Sequence, residues 1–458
     1  MAISSPPAGI FKAYDIRGIY GEELDAETAH LIGRAFARVL ARLRGKDVSE
    51  LRIGLGRDMR LSGPEMAAGV RQGLVEEGAT VIDAGQVATE MSYYLVGSRE
   101  LDGGAMVTAS HNPKAYTGVK LLREGALALS GDAGIQDVRA EIEAGLPDPP
   151  GGGSVEEIDI YPDFHQHILS LIDPETIGPL RILADGSDGM AGPMVGPLLD
   201  QLDLEVTTSR WEPNGDFPEA GPNPFLEENR RMLVEQVKKE GVDLAIAWDG
   251  DADRCFFIDG GGRFCDGDFV CALLARAALV KDPGATVLYD PRSSRAVPDT
   301  VAAAGGTSDL SRVGHAFFKI RMRETGAIFG GEVSGHYYFR DFYCADSGTM
   351  PALLMLELIS REGRPLAELM DEFRSKYFIS GEINSEVADQ EDKMREIAER
   401  YSDGEVMHLD GVSVDYPDWH FNVRPSNTEP LLRLNLESLV SPKDMEAKRD
   451  EVLGLIRS

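Results

Sequence analysis

From about residue 25 to residue 360, short apolar runs alternate with stretches whose apolar positions recur every three or four residues. The first pattern fits buried strands and the second amphipathic helices. Their alternation predicts an α/β chain with a largely parallel or mixed sheet. Asp25 is placed to cap a helix whose apolar stripe is Leu31, Ala35, Phe36, Val39, Leu40 and Leu43, ending before Gly45. Residues 52–55 read as a strand. Ser62-Gly-Pro-Glu65 has the form of a capping box opening a second helix that stops at Gly78, and Thr80 begins the next strand.

One phrase recurs, an apolar strand running into a polar loop that holds an Asp: Arg52-Ile-Gly-Leu-Gly-Arg-Asp58, Arg181-Ile-Leu-Ala-Asp-Gly-Ser-Asp188 and Ala285-Thr-Val-Leu-Tyr-Asp-Pro-Arg292. The spacing is too long for a solenoid, so it reads either as three related α/β domains or as three strands with ordinary loops. Pro147-Asp-Pro-Pro-Gly-Gly-Gly153 is a linker signal. Further boundaries fall near 259–262 and 372–381. Beyond them, strand patterns at 382–387, 406–409, 412–414 and 431–436 and a terminal helix at 444–456 describe a small α+β domain.

Composition changes this picture in one respect. The 458 residues are 43% apolar and 27% charged, ordinary for a globular chain, but 46 Lys+Arg against 77 Asp+Glu give a net charge of −31. Such a surface repels nucleic-acid backbones and anionic membranes, so neither is expected as a partner. An anionic substrate would need a site that is locally basic against the global field. The four cysteines, Cys255, Cys265, Cys271 and Cys344, form no Cys-x-x-Cys pair and read as reduced thiols. Residues 1–9 do not have the form of a signal peptide, and the longest apolar stretch, 269–280, carries Arg276 and is too short to span a bilayer. A soluble cytoplasmic protein is expected.

The densest chemistry lies at Asp249-Gly-Asp-Ala-Asp253-Arg254, just after the apolar strand Leu244-Ala-Ile-Ala-Trp248. In an extended segment Asp249, Asp251 and Asp253 would project to one side. Three carboxylates so close repel unless a cation neutralises them, and a hard divalent ion, Mg²⁺ first, is the natural one. Small residues at 250 and 252 would let the backbone curl around it. An EF-hand is excluded, because its sixth position would be Arg254 and its twelfth Gly260. A solvated acidic turn is the plainer alternative. Ala105-Met-Val-Thr-Ala-Ser110-His111-Asn112-Pro113 is another strand entering a polar loop. It fits neither a Gly-x-Ser-x-Gly elbow nor a Ser-x-x-Lys pair, and His111 is poorly placed to act as base for its neighbour. A phosphoryl-carrying serine is compatible with an adjacent metal; a turn serine is the alternative.

Gly330-Gly-Glu332-Val-Ser334-Gly-His336 mixes an acid, a hydroxyl and an imidazole suited to sugar hydroxyls. Arg424-Pro-Ser426-Asn427-Thr428 groups a fork-shaped cation, two hydroxyls and an amide, a set suited to phosphate. Each could equally be an ordinary loop. Tyr14-Asp-Ile-Arg17, Lys120, Arg292 and His315 add further groups at loop-like positions.

Taken together and in order, Tyr14-Asp-Ile-Arg-Gly18, Thr108-Ala-Ser-His-Asn-Pro113, Asp249-Gly-Asp-Ala-Asp-Arg254, Gly331-Glu-Val-Ser-Gly-His336 and Arg424-Pro-Ser-Asn-Thr428 resemble the α-D-phosphohexomutase family, specifically its bacterial phosphomannomutase/phosphoglucomutase branch. The resemblance covers nearly the whole chain. It implies three α/β domains of related topology and a smaller C-terminal α+β domain around a central cleft, here divided as 1–152, 153–259, 260–373 and 374–458. It further implies that Ser110 is phosphorylated and, with Asp249, Asp251 and Asp253, holds one Mg²⁺. The reaction interconverts 6-phospho and 1-phospho hexoses through a hexose 1,6-bisphosphate, which also serves as activator. By the same resemblance Ser110, His111, Lys120, Arg254 and His336 are catalytic. Tyr14, Arg17, Arg292, His315, Glu332, Ser334, Arg424, Ser426, Asn427 and Thr428 bind the phosphosugar. A monomer or homodimer is expected.

Val333 stands where this branch commonly has Met and phosphoglucosamine mutases have Gln, and Arg292 stands where relatives carry Lys. Mannose and glucose are therefore the expected sugars, with phosphoglucosamine mutase as the alternative. A binding protein without activity would have no use for Ser110 or the aspartates.

Overall fold

The computed structural model describes residues 6–130, 134–426 and 430–458. Among these the chain forms two compact units, Met1–Phe264 with His336–Gly363, and Cys265–Gly335 with Arg364–Ser458.

The first unit is built on two sheets. The larger has the strand order Ile16–Ile19, Tyr116–Arg123, Gly103–Val107, Arg52–Arg57, Thr80–Gln86, Ser154–Glu157. Its last four strands run parallel and its first two antiparallel. Ser154–Glu157, on the far side of the 147–153 linker and inside the span assigned to the second domain, pairs in parallel with Thr80–Asp83 and so completes the first sheet. The smaller sheet has the order Cys255–Asp259, Leu244–Trp248, Leu180–Asp185, Leu204–Ser209. Leu244–Trp248 is wholly buried between neighbours, which accounts for its uninterrupted apolar run. The α/β expectation therefore holds.

Helix Ala26–Arg44 starts as expected: the Asp25 carboxylate accepts the Thr28 N–H at 2.8 Å, and Gly45 closes the helix in the left-handed region. Leu43, read as part of the apolar stripe, is 40% exposed, because the core face ends with Val39, Leu40 and Ala41. The capping box at Ser62 does not form. Ser62 is itself helical and its hydroxyl donates to Thr117 at 3.0 Å, while Glu65 accepts the Tyr20 hydroxyl. Both side chains serve tertiary partners, and helix Gly63–Glu76 carries Pro64 in its first turn and has no side-chain cap.

This helix meets Ala26–Arg44 backbone to backbone. A Cβ on Gly73 would lie 2.3 Å from the His30 carbonyl oxygen, and one on Gly33 would lie 2.3 Å from that of Val70. Deeper in the same unit, Glu90 on helix Thr89–Ser98 accepts the Thr349 hydroxyl and its backbone N–H, joining this helix to Thr349–Glu362.

In the second unit, Thr307–Leu310, Thr286–Tyr289 and Phe329–Gly331 pair in parallel. The C-terminal part is an antiparallel sheet ordered Phe378–Ile379, Leu431–Ser438, Trp419–Pro425, Val412–Asp415, Glu405–Met407, with Ile383–Glu386 also on Leu431–Ser438. Its core joins Ile397, Val414, Phe421, Leu434 and Val452. Helix Gln390–Arg400 and strand Trp419–Pro425 are additions to the expected pattern. Among the described residues no helix is long and apolar enough to cross a membrane.

Two outcomes follow. Gly73→Ala, which raises helix propensity, is expected to destabilise the protein by about 1–3 kcal/mol in denaturant titration, because the helices must separate. Burial, against hydrogen bonds from Ser347 and Thr349, raises the Glu90 carboxyl from 4.5 to about 8. The fold thus holds this proton more tightly than the unfolded chain does. The contribution is complete below pH 4.5 and lost as pH rises towards 8. Glu90→Gln is expected to flatten the loss of stability between pH 5 and 8 by a few kcal/mol, read from unfolding at each pH.

Candidate active site

The first group of site residues sits where two strands of the first unit end. Beyond Trp248 the chain turns tightly at 249–253, with the Ala252 N–H donating to the Asp249 carbonyl at 3.0 Å and Ala252 at φ +60°. The segment is thus a turn rather than the extended run expected from its alternation, yet the carboxylates of Asp249, Asp251 and Asp253 converge to within 4.8 Å of one another. Trp248 buttresses it by donating its indole N–H to the Gly348 carbonyl at 2.8 Å.

Beyond Val107 the chain passes through Thr108 to Ser110, which is 3% exposed and held in the left-handed region at φ +50°. Its N–H donates to the Thr108 hydroxyl at 2.8 Å. Its Oγ donates to Asp249 Oδ2 at 3.3 Å and lies 3.1 Å from His111 Nδ1. His111 therefore does reach its neighbour, contrary to the expectation, because the left-handed turn brings the two side chains round to the same side. Gly250 makes the junction possible, since a Cβ there would lie 2.9 Å from the Ser110 carbonyl oxygen. The C-terminal ends of strands in such sheets are the usual place for ligands.

Charge in this pocket is only partly balanced. Lys120 Nζ donates to Asp251 Oδ2 at 2.7 Å and to Asp253 Oδ2 at 2.6 Å, and the Thr89 hydroxyl reaches Asp251 Oδ2 at 2.5 Å. Burial pushes the Asp251 carboxyl up, but Lys120 and Thr89 together hold it below the usual carboxylate range. Burial and the charge of Asp251, against Lys120, put Asp253 at about 6. Burial and the other two carboxylates drive Asp249 well above its ordinary value, despite Arg254. Burial alone would lower Lys120, yet the facing carboxylates keep it firmly protonated. The Arg254 charge, burial and the Arg17 charge depress His111 well below the ordinary imidazole range.

Arg254 donates its N–H to Asp249 Oδ1 at 3.2 Å and its Nε–H to His336 Nε2 at 3.2 Å, so His336 joins the group 4.0 Å from Asp253 Oδ1. Arg17 pairs with Asp15 and donates to Asn112 Oδ1 at 2.5 Å, against the serine loop. Tyr14 is half-buried just before the edge strand that carries Arg17. Asp251 Oδ1 and Asp253 Oδ1 are buried with no hydrogen-bond donor among the described residues. Two such acceptors and an under-neutralised third carboxylate fit a hard divalent cation with oxygen ligands.

The second group lies in the second unit. Arg292 makes a two-pronged pair with Asp290 at 2.9 and 2.8 Å and reaches Glu332 Oε1 at 3.4 Å, which also accepts the Gly314 N–H at 2.8 Å. His315 opens helix His315–Thr325 one residue further on, and Ser334 follows Glu332 in the same loop, half-buried. Arg424 faces Arg433 across two paired strands, and both guanidiniums turn to Glu382, at 3.2 and 3.1 Å. The Nε of Arg424 and of Arg433 are buried with no acceptor among the described residues. Burial and then the charges of Arg292 and Arg433, against Glu382, lower the Arg424 pKa. Cations that repel one another and leave N–H donors over fit an anion. Ser426 is buried, its N–H on the Leu431 carbonyl and its carbonyl accepting Gln390 Nε2 at 3.2 Å. Asn427 and Thr428 lie outside the described residues.

Arg433, Glu382, Thr89 and Arg60 escaped the sequence reading. Arg433 carried a signal, the apolar–polar alternation of Leu431-Leu-Arg-Leu-Asn435, and Glu382 stood at the start of a strand pattern without its role being visible; Thr89 and Arg60 lie at a helix start and in a loop without any signal.

Phosphoglucomutase/phosphomannomutase family models match the chain in order: alpha/beta/alpha domain I over residues 8–146, domain II over 161–262, domain III over 266–377 and the C-terminal domain over 382–455. A protein of Xanthomonas campestris pv. campestris named for phosphohexose mutases is 41% identical over 451 residues, covering 98% of this chain and 99% of its own. A phosphomannomutase of Escherichia coli K12 is 40% identical over 456 residues, covering 97% and 98%. The crystal structure of a phosphoglucomutase/phosphomannomutase family protein from Burkholderia thailandensis superposes with a TM-score of 0.89 at 32% identity, covering 98% of this chain and 97% of that one. The chain belongs to the phosphoglucomutase/phosphomannomutase (α-D-phosphohexomutase) family and is a phosphohexomutase, an isomerase.

If the carboxylate trio takes a divalent cation, Mg²⁺ at one hundred times its dissociation constant is expected to stabilise the folded protein by about 2.7 kcal/mol. The melting temperature should rise accordingly, and Asp251→Asn should abolish the rise.

Proposed function

We propose that this phosphohexomutase interconverts the 6-phosphates and 1-phosphates of mannose and glucose, using Ser110 as a phosphoryl carrier and a hexose 1,6-bisphosphate as intermediate. One observation carries the reading: Ser110 Oγ, on a strained backbone, donates at 3.3 Å to Asp249, one of three converging buried carboxylates. A hydroxyl so placed suits a phosphate oxygen coordinated together with those carboxylates. Asp249, Asp251, Asp253 and phosphorylated Ser110 would hold one Mg²⁺, which when bound draws charge from the phosphoryl group in transit.

The chain's own residues supply the rest. In the forward step the P–O bond to Ser110 breaks as the free hydroxyl of the hexose monophosphate forms a new one, giving the 1,6-bisphosphate. In the return step the other phosphate passes to the Ser110 oxygen. Lys120 and Arg254 stabilise the phosphoryl group with fixed positive charge. The hydroxyl proton must leave as the new bond forms. In the forward step the Ser110 oxygen, as it parts from phosphorus, takes up a proton in place of the one the sugar hydroxyl gives up, and in the return step it gives that proton back. His111 Nδ1, at 3.1 Å from Ser110 Oγ, is placed to pass it, and His336 is a second imidazole in the same group. Arg17 and Tyr14 shape the wall around the serine loop.

The phosphate that is not reacting would be gripped by Arg292, Arg424, Ser426, Asn427 and Thr428, with Arg433 added by its position across from Arg424. Glu332 and Ser334 would read sugar hydroxyls, with His315 beside them. Recognition by paired hydroxyl contacts tolerates a sugar presented in either direction, as a mutase requires. The names of the relatives support mannose, and apolar Val333 leaves no hydrogen-bonding side chain in that slot for an amino sugar.

Ser110→Ala is expected to lower turnover by at least about a thousandfold and to remove the phosphoprotein species from intact mass spectra. Assayed with a trace of the matching bisphosphate, mannose 1-phosphate and glucose 1-phosphate should turn over well ahead of glucosamine 1-phosphate. Full activity without the hydroxyl contradicts the carrier role, and a preference for glucosamine 1-phosphate replaces the assigned sugars with the amino sugar.

A further inference from the structure

Arg60 lies in the loop between strand Arg52–Arg57 and helix Gly63–Glu76, 2% exposed, and the mechanism above gives it no part. Its guanidinium donates four hydrogen bonds, all to backbone carbonyls of the serine loop and the residues that follow. Nη2 reaches Ser110 at 2.7 Å and Asn112 at 2.6 Å, and Nη1 reaches Pro113 at 3.1 Å and Tyr116 at 3.2 Å. On its other side it makes an ion pair with fully buried Asp58 at 3.4 Å and stacks over the Phe217 ring at 5.4 Å. Asp58 in turn accepts the Arg60 N–H at 2.9 Å, so the pair is fixed at both ends.

The Ser110 carbonyl is thus confined between this cation and Gly250, whose missing Cβ leaves the room. A serine at φ +50° leaves that conformation unless its surroundings over-determine it. The N–H on Thr108 fixes one side of the residue and the carbonyl on Arg60 the other. An ion pair buried this deeply is weak support for stability, and its value is better sought in geometry. Only arginine presents enough donors in one plane to serve four carbonyls; lysine, a point charge on a flexible stem, does not.

We propose that Arg60 is a positioning residue for phosphoryl transfer: by clamping the serine loop it holds Ser110 in its left-handed conformation and keeps Oγ aimed at Asp249. The inference rests on the carrier reading of Ser110. A displacement of about 1 Å at a reacting atom can cost on the order of a hundredfold in rate. The hydrogen bonds of Arg60 go to the backbone of the serine loop and the residues just after it, and its ion pair to Asp58, so its loss should act on turnover and not on affinity.

The test compares wild type, Arg60→Gly and Arg60→Lys for kcat, KM, melting temperature and the rate at which glucose 1,6-bisphosphate phosphorylates Ser110, followed by peptide mass spectrometry. In Arg60→Gly, kcat and Ser110 phosphorylation are expected to fall together by about a hundredfold, with KM within about threefold. Guanidinium ion at tens of millimolar should restore roughly tenfold of the kcat without changing KM, while leaving wild type unaffected. Arg60→Lys, the variant that decides the matter if the glycine variant does not fold, should keep its melting temperature within a few degrees and lose about tenfold in kcat. Wild-type kcat in Arg60→Lys, or a loss in Arg60→Gly that falls on KM and is not rescued by guanidinium, overturns the proposal. If wild type turns over with no phosphate ever on Ser110, the carrier reading itself fails and takes this inference with it. Normal Ser110 labelling in wild type together with unimpaired variants overturns the role of Arg60 alone.

Discussion

Three carboxylates within 4.8 Å, all buried, are the constraint around which the first unit is organised. Two like charges 4 Å apart repel by about 4 kcal/mol at the effective dielectric of a protein site. One lysine shared between Asp251 and Asp253 relieves part of this, and a threonine hydroxyl and the neighbouring arginine relieve a little more. What is left over is directed: two carboxylate oxygens without donors among the described residues, and a serine hydroxyl leaning on the third aspartate. The tight turn at 249–253 keeps the carboxylates in place against their repulsion. Its supports are the bond from Trp248 to Gly348 and the close fit of Gly250 under the serine loop.

The second unit uses the opposite charge in the same way. In a chain of net charge −31 a bound anion would have to be met by concentrated cations, and Arg292, Arg424 and Arg433 are such a concentration. Each is held by an acid, Asp290 or Glu382, so that its plane is fixed. Neither acid uses up all the donors on the arginines it holds, and the mutual repulsion of the cations is what a bound dianion would relieve. The chemistry proposed for the first unit needs negative charge around a cation, and recognition of phosphate in the second needs the reverse.

Much of this was readable from the residues because it is local. The trio and Arg254 fall within six consecutive positions at the end of one apolar strand, and Ser110 with His111 lies just beyond another, so adjacency along the chain stands in for adjacency in space. Asp25 and Gly45 mark their helix for the same reason. Reading failed where a side chain has a choice of partners. Ser62 and Glu65 have the form of a cap, but Thr117 and Tyr20, distant in sequence, compete for them and win. Alternation at 249–253 suggested an extended segment, whereas a turn brings the same three side chains together. Arg60, some fifty residues before the loop it holds, has no local pattern at all, because its role is defined by four carbonyls that only the folded chain assembles. Arg433 is an intermediate case: its strand was legible from alternation, but its place across from Arg424 depends on strand register.

The account's central claim is that one hydroxyl, held against the carboxylate trio, carries the phosphoryl group through the reaction. The most direct measurement is a pulse and chase: wild-type protein is incubated with radiolabelled hexose 1,6-bisphosphate and Mg²⁺, freed of excess label, and then given unlabelled hexose 6-phosphate. The account predicts label on the peptide containing Ser110 after the pulse and its passage into sugar phosphate in the first turnover. Label on another residue, or label on Ser110 that stays there while the sugar turns over, would contradict it.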